Sequence, residues 1–112
     1  MRPEDFVKKI IQSVINKNNE TYRSLFDETK LNEVNEEYWI NALHFYNSLS
    51  HENKEVLLSI IKQITVDTVS NIFGIIDGSS SLDGKFEDFT LLYNNNGQKL
   101  NGDLQDILLQ QE

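Results

Sequence analysis

From Ser50 onward the chain places Val56, Leu57, Ile60, Ile61, Ile64, Val69, Ile72, Phe73 and Ile76 at helical spacing. This run predicts one long helix, about residues 51–73, with Ser50 as its N-cap and Gly74 or Asp77-Gly78 as its stop. The β-branched residues Thr65, Val66, Thr68 and Val69 weaken its later half, which leaves room for a break or kink there. The rest of the chain has to supply the surfaces that cover this helix.

Several segments before it have the right pattern. Pro3 sits at a first-turn position, followed by Glu4 and Asp5, which complement the helix dipole. Phe6, Val7, Ile10, Ile11, Val14 and Ile15 then recur as i, i+1, i+4, i+5, one apolar stripe on a helix of about residues 3–17. The cluster Asn16-Lys17-Asn18-Asn19 is expected to end it. Asn19 would cap a short second helix carrying Tyr22, Leu25 and Phe26; its match to the glycosylation pattern Asn19-Glu20-Thr21 is read as that cap. A third helix, about 35–49, starts from a cap at Asn35 and carries Tyr38, Trp39, Ala42, Leu43, Phe45, Tyr46 and Leu49.

After the long helix the residue chemistry changes. Asp77-Gly78-Ser79-Ser80-Ser81 and Asp83-Gly84 are turn signals. Phe86 to Tyr93 alternates like a strand, Asn94-Asn95-Asn96-Gly97 reads as a hairpin turn, and Gln98 to Leu100 as a short return strand. Asn101 is the expected cap of a last helix, about 102–110, with Leu104, Ile107 and Leu108 on one face and Leu100 stapled against it. The expected architecture is mainly α (α+β): four to five helices with a small C-terminal β-hairpin packed on a helical bundle, in a single domain spanning 1–112.

Size supports one core. For 13.0 kDa, surface scaling gives roughly 19,000 Å² exposed when unfolded and roughly 6,300 Å² when folded. The charge is uneven. Residues 1–66 hold 8 basic and 10 acidic residues, net −2; residues 67–112 hold 2 basic and 8 acidic, net −6. Such a balance disfavours nucleic acid and anionic membrane surfaces, which need clustered Lys and Arg. A basic protein partner would be attracted. The N-terminal pattern is not that of a signal peptide and no continuous apolar run approaches bilayer length, so the expected location is the cytoplasm.

The same residues narrow the chemistry. With no Cys, thiolate metal sites, disulfides and Cys nucleophiles are excluded. His44 and His51 lie seven apart with no ligand pattern around them. Asp77, Ser79, Ser81, Asp83 and Asp88 fall at offsets 1, 3, 5, 7 and 12 of a calcium-loop register. Leu82 stands where that loop needs Gly, and Asp88 is shorter than its closing Glu, so the segment is read as a turn. Neither a Gly-x-Ser-x-Gly elbow nor a phosphate loop is present. No cofactor and no catalytic residue is assigned.

Phe73-Gly74-Ile75-Ile76-Asp77-Gly78, then Phe89-Thr90-Leu91-Leu92-Tyr93, Gly97 and Leu100-Asn101-Gly102-Asp103-Leu104-Gln105-Asp106-Ile107-Leu108 form the most distinctive pattern. This C-terminal third resembles small uncharacterised bacterial proteins, some of which resemble immunity proteins of toxin systems. Small size, an acidic C-terminal half, the lack of a catalytic motif and this resemblance together point to a non-catalytic protein-binding module, with an immunity-type inhibitor of a basic bacterial toxin as the form the resemblance implies. In that reading Asp77, Asp83, Glu87, Asp88, Asp103 and Asp106 form a negative surface that steers the partner, with Tyr93 or Trp39 as apolar anchors. The alternative is a structural or regulatory interaction protein, a homo-oligomer formed through an exposed patch on the Tyr38–Leu49 helix.

Overall fold

A computed structural model describes residues 1–94 and 97–111. The element order is α1 (Pro3–Ile10), a π-helical segment (Ile11–Asn16), α2 (Lys17–Glu28), a 3-10 turn (Leu31–Glu33), α3 (Glu37–Asn47), α4 (His51–Asp77), β1 (Leu92–Tyr93), β2 (Gln98–Lys99) and α5 (Leu104–Gln111). The chain is mainly α with a small antiparallel hairpin, Leu92 opposite Lys99 and Tyr93 opposite Gln98.

The first two expected helices are one rod. Ile11, Asn16 and Lys17 all keep right-handed helical backbone angles. Asn19 therefore lies inside a helix and does not cap one; polar side chains alone, without Gly or Pro, do not break the ladder. The π segment has a legible cause. The stripe Phe6/Val7, Ile10/Ile11, Val14/Ile15 repeats every four residues, which drifts around an α-helix of 3.6 residues per turn. A wider turn rotates less per residue and keeps the stripe on one side. Both Val7 and Ile15 are fully buried as a result.

α4 is an unbroken spine of 27 residues, roughly 40 Å long at 1.5 Å per residue. No break forms at the β-branched run, and Thr65 and Thr68 return their hydroxyls to the carbonyls of Ile61 and Ile64 within the same helix. Ser50 caps the start, accepting from the Asn53 amide at 3.1 Å. Gly78, at φ 83°, ends the helix, later than about 73. The amides of Ser79 and Gly78 bond back to the carbonyls of Gly74 and Ile75, the Schellman pattern that needs a left-handed residue here. α3 begins after Glu36, not from a cap at Asn35, and its cap residue makes no side-chain bond.

Two apolar clusters form along α4. Val7, Ile15, Val66, Phe73, Leu104 and Leu108 join α1, the π segment, the later half of α4, and α5. Phe26, Leu43, Tyr46 and Leu58 join α2, α3 and the earlier half of α4, with Tyr22 and Trp39 packed against them. Asn19 stands on the inward stripe between Ile15 of one cluster and Tyr22 of the other, and its buried Oδ1 has no hydrogen-bond partner. At the second cluster the Tyr46 hydroxyl donates to Asp27 Oδ1 at 2.5 Å. Arg23 grips Glu55 with two bonds of 2.9 and 2.8 Å, tying α2 to α4 at the surface; that contact holds Glu55 below the usual carboxylate range and raises Arg23.

The molecule is long, 51 × 30 × 26 Å, with a radius of gyration of 17.8 Å where a compact chain of this size has about 13 Å. Its exposed surface is 7807 Å², about a quarter above the value of roughly 6,300 Å² expected from mass.

Candidate binding surface

The C-terminal third is held by two polar side chains. Asp77, the last residue of α4, accepts the amide of Gly102 on Oδ1 at 2.7 Å and that of Gln105 on Oδ2 at 2.9 Å. It thus caps α5 from 28 residues away, satisfying amides that have no partner within that helix. Asn101 is buried and does not cap α5. Its Nδ2 donates to the carbonyls of Ile76 and Phe89, and its Oδ1 accepts the amide of Leu91, each at 2.7 Å. One amide side chain therefore binds the end of α4 and the approach to β1. That is also why the expected strand over residues 86–93 shrinks to Leu92–Tyr93: the Phe89 carbonyl and the Leu91 amide are taken by Asn101, and the bond from the Leu100 amide to the Leu91 carbonyl is the last of the hairpin.

Gly74 allows α4 and α5 to meet. A Cβ there would stand 2.5 Å from Ser80 Oγ and 2.9 Å from Gln105 Nε2. Gln105 Nε2 also donates to the Ser70 carbonyl and hydroxyl at 3.0 and 3.1 Å.

Between these anchors the chain loops outward. Every residue from Ser81 to Thr90 is exposed. Leu82 and Lys85 exchange backbone bonds across Asp83-Gly84, whose φ angles of 51° and 82° make a tight left-handed turn. Phe86 is 70% exposed, and Leu82 and Phe89 are also exposed. These apolar side chains alternate with Asp83, Glu87 and Asp88. Alternation alone points to strand positions for Phe86 and Phe89, and the structure places both on the loop instead. The signal available in the sequence is that residues 86–93 have only Gln98–Leu100 to pair with.

Asp83, Glu87 and Asp88 therefore share one outward segment. Asp103 and Asp106 are exposed at the start of α5, where negative charge also complements the helix dipole. Asp77 is set apart from them, its carboxylate occupied by backbone amides. Tyr93 is exposed on β1 and lines a shallow cleft with Met1, Asp5, Lys8, Lys9 and Gln12. Trp39 is not brought to this surface: it stacks on Tyr22 at 6.4 Å and packs against Phe26 and Tyr38 within the second cluster. The Asn94–Gly97 turn falls partly outside the described residues, at Asn95 and Asn96. Among the described residues, no three His, Asp or Glu side chains are grouped closely enough to hold a metal ion.

No protein family matches the chain, and neither curated proteins nor solved structures give a match.

Proposed function

We propose that this chain is a non-catalytic protein-binding module whose partner is basic, with immunity-type inhibition of a basic bacterial toxin in the cytoplasm as the specific form. The observation that carries the reading is the segment Ser81–Thr90. It holds Asp83, Glu87 and Asp88 beside the exposed rings of Phe86 and Phe89, on a loop whose two ends are pinned by Gly78 and Asn101. Fixing the ends lowers the ordering cost of binding, and acidic residues around aromatic anchors combine steering with contact area. Asp103 and Asp106 extend the negative field.

The test is affinity capture from a bacterial lysate with three baits: the native chain, the double reversal Asp83→Lys/Asp88→Lys, and Phe86→Ala/Phe89→Ala. The expected result is a stoichiometric basic protein on the native bait that elutes as salt rises and is lost from both variants. A partner retained equally by all three baits, or indifferent to salt, overturns the assignment of this segment.

A further inference from the structure

The chain holds two Asn-Gly pairs, Asn96-Gly97 and Asn101-Gly102. Asn96 falls outside the described residues. Asn101-Gly102 sits where the end of α4, the approach to β1 and the start of α5 converge. An Asn side chain before Gly is chemically labile, because Gly has no Cβ to hinder its backbone nitrogen from bending onto the Asn Cγ. Here the fold holds both reacting groups. Asn101 is only 8% exposed. Its Nδ2 donates to the Ile76 and Phe89 carbonyls and its Oδ1 accepts the Leu91 amide, each at 2.7 Å. The Gly102 nitrogen, which would be the nucleophile, donates to Asp77 Oδ1, also at 2.7 Å. Ring closure needs that nitrogen freed of its proton and Asn101 Cγ turned towards it, so all four bonds oppose it. α5 carries the latch. The Gln105 amide donates to the other Asp77 oxygen at 2.9 Å, and the fully buried Leu104 and Leu108 seat the helix in its cluster.

We propose that Asn101 is a self-modifying site, a deamidation site latched by the fold, and that its conversion is a one-way exit from the docked state of α5. Water is the only co-reactant. When α5 lifts, the Gly102 nitrogen gives its proton to a base in solution and bonds to Asn101 Cγ. The Cγ–Nδ2 bond breaks and Nδ2 leaves as ammonia, closing a succinimide. Water then adds to either imide carbonyl and one C–N bond opens, leaving Asp or isoaspartate at position 101. The net change is amide plus water to carboxylate plus ammonium, with no oxidation or reduction. Closure is blocked afterwards. A carboxylate has no proton for the Ile76 and Phe89 carbonyls, and it adds a negative charge close to the Asp77 carboxylate that holds the next residue. Isoaspartate also lengthens the backbone by a methylene between the side chain's three partners and the Gly102 amide. A transient opening, of the kind all folds undergo, thus becomes permanent. It releases one of the two anchors of the Ser81–Thr90 loop, whatever that loop binds.

The test follows position 101 by peptide mapping and mass spectrometry of the full chain, aged in mildly alkaline buffer. In guanidinium chloride, Asn96 and Asn101 are expected to convert at comparable rates, Asn101 to a mixture of Asp and isoaspartate. In native buffer Asn101 is expected to convert roughly 100-fold more slowly than in denaturant, because conversion tracks the open population. Asp77→Ala should raise the native rate about tenfold by removing the latch on α5. Leu108→Ala loosens α5 from the core without altering any of the four bonds. It should raise the rate about 30-fold or more, with the denatured rate as the ceiling. The converted chain can be separated by its extra negative charge. Its amides of Leu91, Gly102 and Gln105 are expected to lose hydrogen-exchange protection while α4 around Leu58 keeps it. Equal native and denatured rates, a native rate unmoved by both variants, or a converted chain with those three amides still protected overturns the proposal. So does Asp as the sole product in denaturant, which would mean direct hydrolysis instead of ring closure.

Discussion

The carboxylate of Asp77 and the backbone amide of Gln105 meet at 2.9 Å, so the residue that ends the longest helix begins the last one. The same side chain also holds the Gly102 amide. Replacing Asp77 by Ala removes a cap, a loss of about 1–2 kcal/mol. Chemical denaturation of Asp77→Ala should show that drop, with the amides of Gly102 and Gln105 losing hydrogen-exchange protection first.

Asn101 is costlier to remove. Asn101→Leu leaves the carbonyls of Ile76 and Phe89 and the amide of Leu91 without their partner, at about 1–3 kcal/mol for each buried group. A loss of about 3 kcal/mol or more is expected. Asn101→Asp should lose at least as much, since a carboxylate faces two carbonyls with no proton to give. The measurement is the denaturant midpoint of the two variants beside the native chain.

Gly74→Ala separates propensity from packing. In an exposed helix the change would stabilise by about 1 kcal/mol. Here the new methyl meets Ser80 and Gln105, so overpacking of about 1–3 kcal/mol is expected to win. A Gly74→Ala variant with a raised thermal midpoint would show that α5 can move away from α4 at little cost.

Tyr46 gives the fold an alkaline limit. Burial, then the hydrogen bond to Asp27, pushes its phenol up to about 12, against about 10 in an unfolded chain. The folded state therefore keeps a proton that the unfolded state releases. The stabilisation is complete below pH about 10 and is lost as pH rises towards 12, in all about 2–3 kcal/mol. Denaturation curves across that window should fall steeply for the native chain and less so for Tyr46→Phe, which starts from lower stability at neutral pH.

Asn19 is a place where the sequence works against its own core. Its Oδ1 is buried without a partner between two apolar clusters. Asn19→Leu should be neutral or stabilising by up to about 2 kcal/mol, because it removes a desolvated acceptor and adds apolar surface. Thermal unfolding of this variant beside the native chain is the check.

Where periodicity and capping chemistry were local, the sequence was readable. Ser50 caps α4, Asp83-Gly84 turns, and the four-residue stripe from Phe6 to Ile15 is buried on one side. Where a polar side chain acts across the fold, local reading misleads. Asn19 and Asn101 both have the composition of caps. The first is kept helical by an uninterrupted backbone ladder, and the second is drawn inward by carbonyls 12 and 25 residues away. Asp77 was legible as an acidic turn residue, but its role depends on where α5 lies. The acidic set was legible as charge; that only Asp83, Glu87 and Asp88 share a segment with exposed aromatics follows from the loop the anchors create.

The division into two clusters separates a short-range from a long-range half of the fold. Phe26, Leu43, Tyr46 and Leu58, with Tyr22 and Ile61 around them, all lie within the first half of α4 or before it. Val7 and Ile15 share a cluster with Leu104 and Leu108, from the far end of the described chain. Closing a short loop costs less chain entropy than closing a long one, and contacts of short span form faster. The cluster around Tyr46 is therefore expected to form before α5 docks, with the apolar stripe of α1 uncovered until it does.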